Sequence, residues 1–166
     1  NPIEVLNIFN FAISDIGVYS LSSSLTNKNL TTLCLFNNNL LPNDIVMLVN
    51  GIKNKHNLYD LDIRNNNVGK KGAMALADYL ETNTSLQYPE LMATQIETEG
   101  AYALAESLKH NTTLSDIYTS NNLFGVLGVI AFAKSLEYNN TLSSLIMNED
   151  ARARGENEMT RCLERN

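Results

Sequence analysis

Apolar residues return along this chain with a long, even stride. Leu30, Leu58, Leu86, Leu114 and Leu142 each stand 28 residues apart. Each opens the pattern L-x-x-L-x-L-x-x-N-x-L. It reads Leu30, Leu33, Leu35, Asn38, Leu40, and then Leu58, Leu61, Ile63, Asn66, Val68. The third unit is Leu86, Pro89, Leu91, Thr94, Ile96, and the fourth is Leu114, Ile117, Thr119, Asn122, Phe124. The fifth is Leu142, Leu145, Met147, Asp150, Arg152, and a shift of 27 recovers an earlier unit, Ile3, Leu6, Ile8, Phe11, Ile13. The alternation of apolar and polar positions at the head of each unit predicts a short strand. A second stripe follows. Gly72-Ala73, Leu76-Ala77 and Leu80 return as Gly100-Ala101, Leu104-Ala105 and Leu108, and again as Gly128-Val129, Phe132-Ala133 and Leu136. Offsets of i, i+3, i+4 and i+7 place them on one face of a helix. The first two units keep this stripe loosely, with Gly17, Val18, Leu21, Leu25 and then Asp44, Ile45, Leu48, Ile52. Small residues in the stripe are expected to let each helix lie close to the strand layer.

Neither a lone short strand nor a lone amphipathic helix buries its apolar side, so the units must stack. The expected fold is α/β: a right-handed solenoid of about six units of 27–28 residues, covering residues 1–166, with units starting near 3, 30, 58, 86, 114 and 142. Helices are wider than strands are spaced. The stack therefore curves, with a parallel sheet on the concave face and helices on the convex face. The Asn after each strand (Asn38, Asn66, Asn122) is expected to bond the backbone where it leaves the sheet. Residues 152–166 read as a capping helix: Gly155, Met159 and Leu163 continue the stripe amid Arg152, Arg154, Glu156, Glu158, Arg161, Glu164 and Arg165. At the other end, Ile3, Ile8 and Phe9 either meet a preceding segment or sit near an exposed edge.

The segment Asn66 to Leu86, N-x-x-G-x-x-G-A-x-A-L-A-x-x-L-x-x-N-T-S-L, resembles the 28-residue leucine-rich repeats of the ribonuclease-inhibitor-like class. The similarity extends over nearly the whole chain. That class includes ribonuclease inhibitor, the Ran GTPase-activating protein, the tropomodulin C-terminal domain, the repeat domains of nucleotide-binding immune receptors and various bacterial effectors. The resemblance implies a binding surface and no particular partner. Ribonuclease inhibitor is rich in Cys and Trp, whereas this chain has 2 Cys and no Trp. No arginine here matches the functional one of the Ran regulator. Tropomodulin is close in length, but Asn38 and Asn66 suit the general repeat better than its more irregular units.

Net charge and composition narrow the partners. The formal charge of −6 disfavours a nucleic-acid surface and favours a protein partner with a basic face. No stretch is long and apolar enough to predict a membrane span or a signal peptide. Two cysteines, Cys34 and Cys162, placed too far apart to pair, do not make a disulfide scaffold and suit a reducing compartment. The expected setting is cytoplasmic, with a secreted effector acting inside a host cell as the alternative, and the expected state is a monomer. Asn makes up about one residue in seven, against a norm nearer one in twenty.

The side chains between the buried positions of each strand face the hollow. One column reads Val5, Thr32, Asp60, Tyr88, Asp116, Ser144, and the next Asn7, Cys34, Asp62, Glu90, Tyr118, Ile146. A third reads Phe9, Phe36, Arg64, Met92, Ser120, Asn148, and a fourth Asn10, Asn37, Asn65, Ala93, Asn121, Glu149. The expected partner-binding set is Phe36, Asp60, Asp62, Arg64, Tyr88, Glu90, Met92, Asp116, Tyr118 and Ile146. Aromatic anchors supply area, and acids supply choice of charge. Pro89 stands in an interior strand without an N–H. It reads either as a bulge that re-aims Tyr88 and Glu90 or as a tolerated irregularity.

No catalytic, metal or cofactor site is expected. The acids Asp60, Asp62, Glu90 and Asp116 have no His or nucleophile in their columns, and His56 and His110 fall near helix ends. Four N-x-S/T sequons, at Asn29, Asn83, Asn111 and Asn139, recur as a by-product of the repeat. Gly69-Lys70-Lys71-Gly72 lacks the glycine and the Ser or Thr of a phosphate loop. The function expected is a protein-interaction module using the concave face. The alternatives are a targeting or regulatory repeat domain of a larger enzyme or effector, and a tropomodulin-like cytoskeletal cap.

Overall fold

A computed structural model describes residues 3–25, 29–54 and 56–147. Short strands and helices alternate along it. The strands are β1 (Val5–Asn7), β2 (Thr32–Cys34), β3 (Asp60–Asp62), β4 (Tyr88–Glu90), β5 (Asp116–Tyr118) and β6 (Ser144–Ile146). Between them lie α1 (Asp15–Ser24), α2 (Pro42–Ile52), α3 (Gly69–Thr82), α4 (Thr98–Leu108) and α5 (Gly125–Ser135). The strands form one parallel sheet in chain order. Its register follows the sequence period, with Leu6 opposite Leu33, Leu33 opposite Leu61, and Ile117 opposite Leu145. The architecture is the expected α/β repeat arc. The expected capping helix at 152–166, together with Cys162, lies outside the described residues.

The core sits between the two layers. Leu33, Leu61 and Ile117 from the strand centres are buried, as are Leu76, Leu104 and Phe132 from the helices. Burial of one such side chain stabilises by roughly 1.5–3 kcal/mol. Apolar contact repeated from unit to unit therefore dominates the stability. The glycines of the helix stripe clear two neighbours. A Cβ on Gly100 would come within 2.8 Å of Ala73 on α3, and one on Gly128 within 2.9 Å of Ala101 on α4. They let successive helices touch, and they also make room for Ile96 (2.8 Å) and Phe124 (2.7 Å), the residues that lead each unit from its strand into its helix.

Asparagines hold the bends. Asn66 accepts from the N–H groups of Asn38 (2.9 Å) and Leu40 (3.0 Å), and its amide donates to the carbonyls of Leu35 (2.8 Å) and Ile63 (3.0 Å). Asn122 does the same for Thr94, Ile96, Leu91 and Thr119. Thr94 is too short to extend this ladder. Its own carbonyl takes the N–H of Val68 instead, at 3.0 Å. The fourth concave column lies in the turn that leaves the sheet, where Asn37 donates to Asn10 of the preceding unit at 2.8 Å. Asn10, Asn37, Asn65, Ala93 and Asn121 have φ between 54 and 60 and form the turn that leaves the sheet. Asn accepts this left-handed geometry readily, whereas most other L residues pay roughly 1–2 kcal/mol.

A second asparagine ladder, unforeseen in the sequence, runs along the helix C-terminal side. Asn111 donates to Leu80 O (2.7 Å) and accepts from Leu114 N (2.8 Å); Asn139 donates to Leu108 O (2.7 Å) and accepts from Leu142 N (2.8 Å). Asn83 accepts from Leu86 N at 2.7 Å, and its amide donates to the hydroxyl of the buried Tyr79 at 2.9 Å. Three of the sequon asparagines are therefore buried structural groups, closed to modification in the folded chain.

Pro89 is buried and keeps its place opposite Leu61. No bulge forms against β3. Odd-numbered residues of β4 bond towards β5, as the contact from Leu91 N to Tyr118 O shows, so the missing N–H faces β5. There the pairing contracts to Glu90 opposite Tyr118.

Candidate functional site

The strand side chains that do not enter the core build the hollow. Leu61, Leu91 and Ile117 are buried, so the alternate residues must face outward from the core, as the sequence register requires. Asp60, Tyr88, Glu90, Met92, Asp116 and Tyr118 are half-buried on this face, and Ile146 is exposed. Parallel pairing sets Asp60 beside Tyr88 and Tyr118 beside both Glu90 and Ile146.

Arg64 is the hub of the site. Its guanidinium reaches Asp62 Oδ1 and Oδ2 at 2.9 and 2.7 Å, and Glu90 Oε2 at 2.7 Å. It also lies 5.5 Å from the centre of the Phe36 ring. Cys34 Sγ adds a contact to Asp62 at 3.3 Å. Asp62 was expected to face a partner, yet its residue exposure is only 7%. It lies beneath Arg64, whose guanidinium covers it. Burial pushes the Asp62 carboxyl up, but hydrogen bonds from the Arg64 side chain and backbone and from Cys34 outweigh it and hold the group below its ordinary range. The Asp62 hydrogen bond in turn raises Arg64. Burial raises Glu90, against the pull of Arg64.

Asp60 has no such support. One carboxylate oxygen is enclosed and finds no hydrogen-bond partner among the described residues. Burial, with Asp62 alongside, raises its carboxyl above the usual value. Of the four carboxylates on this part of the face, Asp62 and Glu90 pair with Arg64, and the surplus charge among the described residues there is negative. Tyr59 belongs here as well. It is 44% exposed, and its ring centre lies 4.9 Å from that of Tyr88 at 60°. The column reading missed it because it precedes β3 and sits in a position that a strand pattern leaves unassigned.

Among the described residues no group of three His, Cys, Asp or Glu side chains could hold a metal, and no helix is long and apolar enough to cross a membrane. His56 and His110 are exposed and away from the hollow. In the first unit Ile3, Val5, Phe9 and Phe11 are exposed.

A family model described as leucine rich repeat matches residues 54–77. This is a leucine-rich-repeat fold of the ribonuclease-inhibitor-like class. Two solved structures share it over nearly their full lengths. The leiomodin-1 actin-binding site 2 matches with a TM-score of 0.72 at 18% identity, covering 92% of this chain and 91% of that one. The tropomodulin C-terminal domain of Caenorhabditis elegans matches with a TM-score of 0.71 at 19% identity, covering 92% and 95%. At such identity the likeness is one of fold. No curated protein matches the chain in sequence. The leucine-rich-repeat arc thus has the extent of the tropomodulin and leiomodin domains, neither of which is named for an enzymatic activity. The regularity of Asn38 and Asn66, read from sequence as a mark against a tropomodulin-like domain, does not separate the two shapes.

Proposed function

We propose that this leucine-rich-repeat domain binds a protein through its concave face, and that actin is the partner. The observation that carries this reading is the end-to-end match to a leiomodin domain named as an actin-binding site. The two arcs agree over 92% of this chain and 91% of that one, rather than over a stretch of a longer horseshoe. Shape and curvature decide what fits into a hollow. The composition of the face supports the same reading. Tyr59, Tyr88 and Tyr118 offer rigid aromatic area, and the surplus of carboxylates around Arg64 suits a partner segment rich in Lys and Arg.

The test is sedimentation with actin filaments together with fluorescence anisotropy on monomeric actin. The wild-type domain should bind one of the two forms. The double variant Tyr88→Ala, Tyr118→Ala should weaken that binding at least tenfold while melting as the wild type does, since an aromatic hot spot contributes about 2 kcal/mol or more. Rising salt should weaken binding through the encounter rate. Loss of binding to both actin forms would remove actin as the partner. Equal binding by the double variant would remove the concave face.

A further inference from the structure

The rim between strands and helices carries a depression of about 480 Å³ at the edge of the core. Asn39, Asn65, Asn67 and Gln95 line it, over a floor that includes Leu40 and Ala93, and no charged side chain borders it. Asn39, Asn67 and Gln95 occupy one position in three successive units. These four carboxamides are free of hydrogen-bond partners among the described residues, unlike the neighbouring Asn66, whose amide is spent on the ladder.

The unit that completes the depression is the one that breaks the local rules. Ala93 holds a φ of 54 where Asn37, Asn65 and Asn121 stand in other units. Gln95 holds a φ of 57 although its longer side chain lacks the local bonding that suits Asn to this region. Thr94 interrupts the ladder between them. The small Ala93 leaves open the space that an Asn would fill. The left-handed turn recurs from unit to unit, but among the described residues only here do residues other than Asn or Gly hold it, which marks a place where something other than stability is served.

We propose that this rim depression is a second binding site, which takes an extended, uncharged stretch of peptide main chain. A carboxamide offers one donor and one acceptor side by side, the complement of a peptide group. Successive units lie about 4.8 Å apart in the strand layer and about 10 Å apart in the helix layer. The rim lies between these layers, and that spacing brackets the roughly 6.8 Å two-residue repeat of an extended chain. A sugar would want an aromatic platform, and the lining has none. The site stands independently of actin and of the concave tyrosines.

Random linear peptides displayed on phage, panned on the folded domain, supply the probe. The recovered peptide is then synthesised and titrated by NMR, with chitotriose as a parallel ligand. The peptide should shift the amides of Asn39, Asn67, Ala93 and Gln95. Methylating alternate peptide nitrogens, or substituting Asn67→Ala with Gln95→Ala, should weaken it by about tenfold or more, as the loss of one or two hydrogen bonds predicts. Ala93→Asn should raise the melting temperature and yet weaken the peptide, a pair of changes that structural damage does not produce. The proposal falls if no peptide is recovered, if the shifts map to the hollow, if methylation changes nothing, or if chitotriose gives the same shifts.

Discussion

One amino acid does three jobs in this protein, and they account for part of its abundance. Asparagine holds left-handed turns at Asn10, Asn37 and Asn65, bonds the strand ends at Asn38, Asn66 and Asn122, and bonds the helix ends at Asn111 and Asn139. Each job needs a short side chain that donates and accepts within one residue of the backbone. Aspartates on the concave face divide just as sharply. Asp62 is held by Arg64, while Asp60 keeps an enclosed oxygen unpaired. Because the folded-state value of Asp60 is raised, its charge opposes folding at neutral pH. The penalty disappears as pH falls below the ordinary carboxyl value, where Asp60 is protonated in both folded and unfolded chains. Asp60→Asn should therefore stabilise the domain at pH 7, by up to about 1 kcal/mol. That gain should be absent near pH 3. Urea unfolding at the two pH values measures it, and an equal gain at both would contradict the assignment.

At the scale of the element, short strands are held less by their own ladder than by what brackets them. A three-residue strand forms few bonds, so the Asn that follows it carries much of the register. Asn66→Ala would leave the carbonyls of Leu35 and Ile63 and the N–H groups of Asn38 and Leu40 without their bonds inside the arc. At about 1–3 kcal/mol for each buried group, the loss should reach at least about 3 kcal/mol. Denaturation midpoints would show it, and a loss under 1 kcal/mol would mean that the ladder is ornamental. Pro89 works in the opposite direction. Pro89→Leu restores the donor facing β5 and should add up to about 1 kcal/mol. It should also slow hydrogen exchange in β5, where the pairing is now reduced to one residue pair.

Across the whole molecule each unit touches mainly its neighbours, and stability adds up along the arc. Removing residues 67–94, one full period of 28, joins Asn66 to Gln95 in matching positions. The shortened chain should still melt cooperatively, at a lower temperature. Removing only 67–80 should abolish folding, because it sets a strand where a helix belongs. Circular dichroism and NMR dispersion distinguish these outcomes, and a folded product from the half-unit deletion would refute the additive picture. The concave surface scales in the same way. No single unit makes it. Arg64 on one unit is anchored by Glu90 on the next and covers Phe36 on the one before.

The repeat, the inward and outward sense of each strand residue, and the helix stripes were readable in the chain because they depend on fixed spacings, 2 residues for a strand and 3.6 for a helix. Leu61, Leu91 and Ile117 went to the core on that ground alone. Spacing is silent on which neighbour a long side chain will choose. It did not reveal that Arg64 would cover Asp62, that Tyr59 would join Tyr88, or that sequon asparagines would become a ladder. Arg64 covers Asp62 within its own unit, through a side-chain choice that spacing does not fix. The other outcomes arise between units, from groups some 28 residues apart in sequence brought into contact. Only the stacking of one repeat on the next creates such contacts.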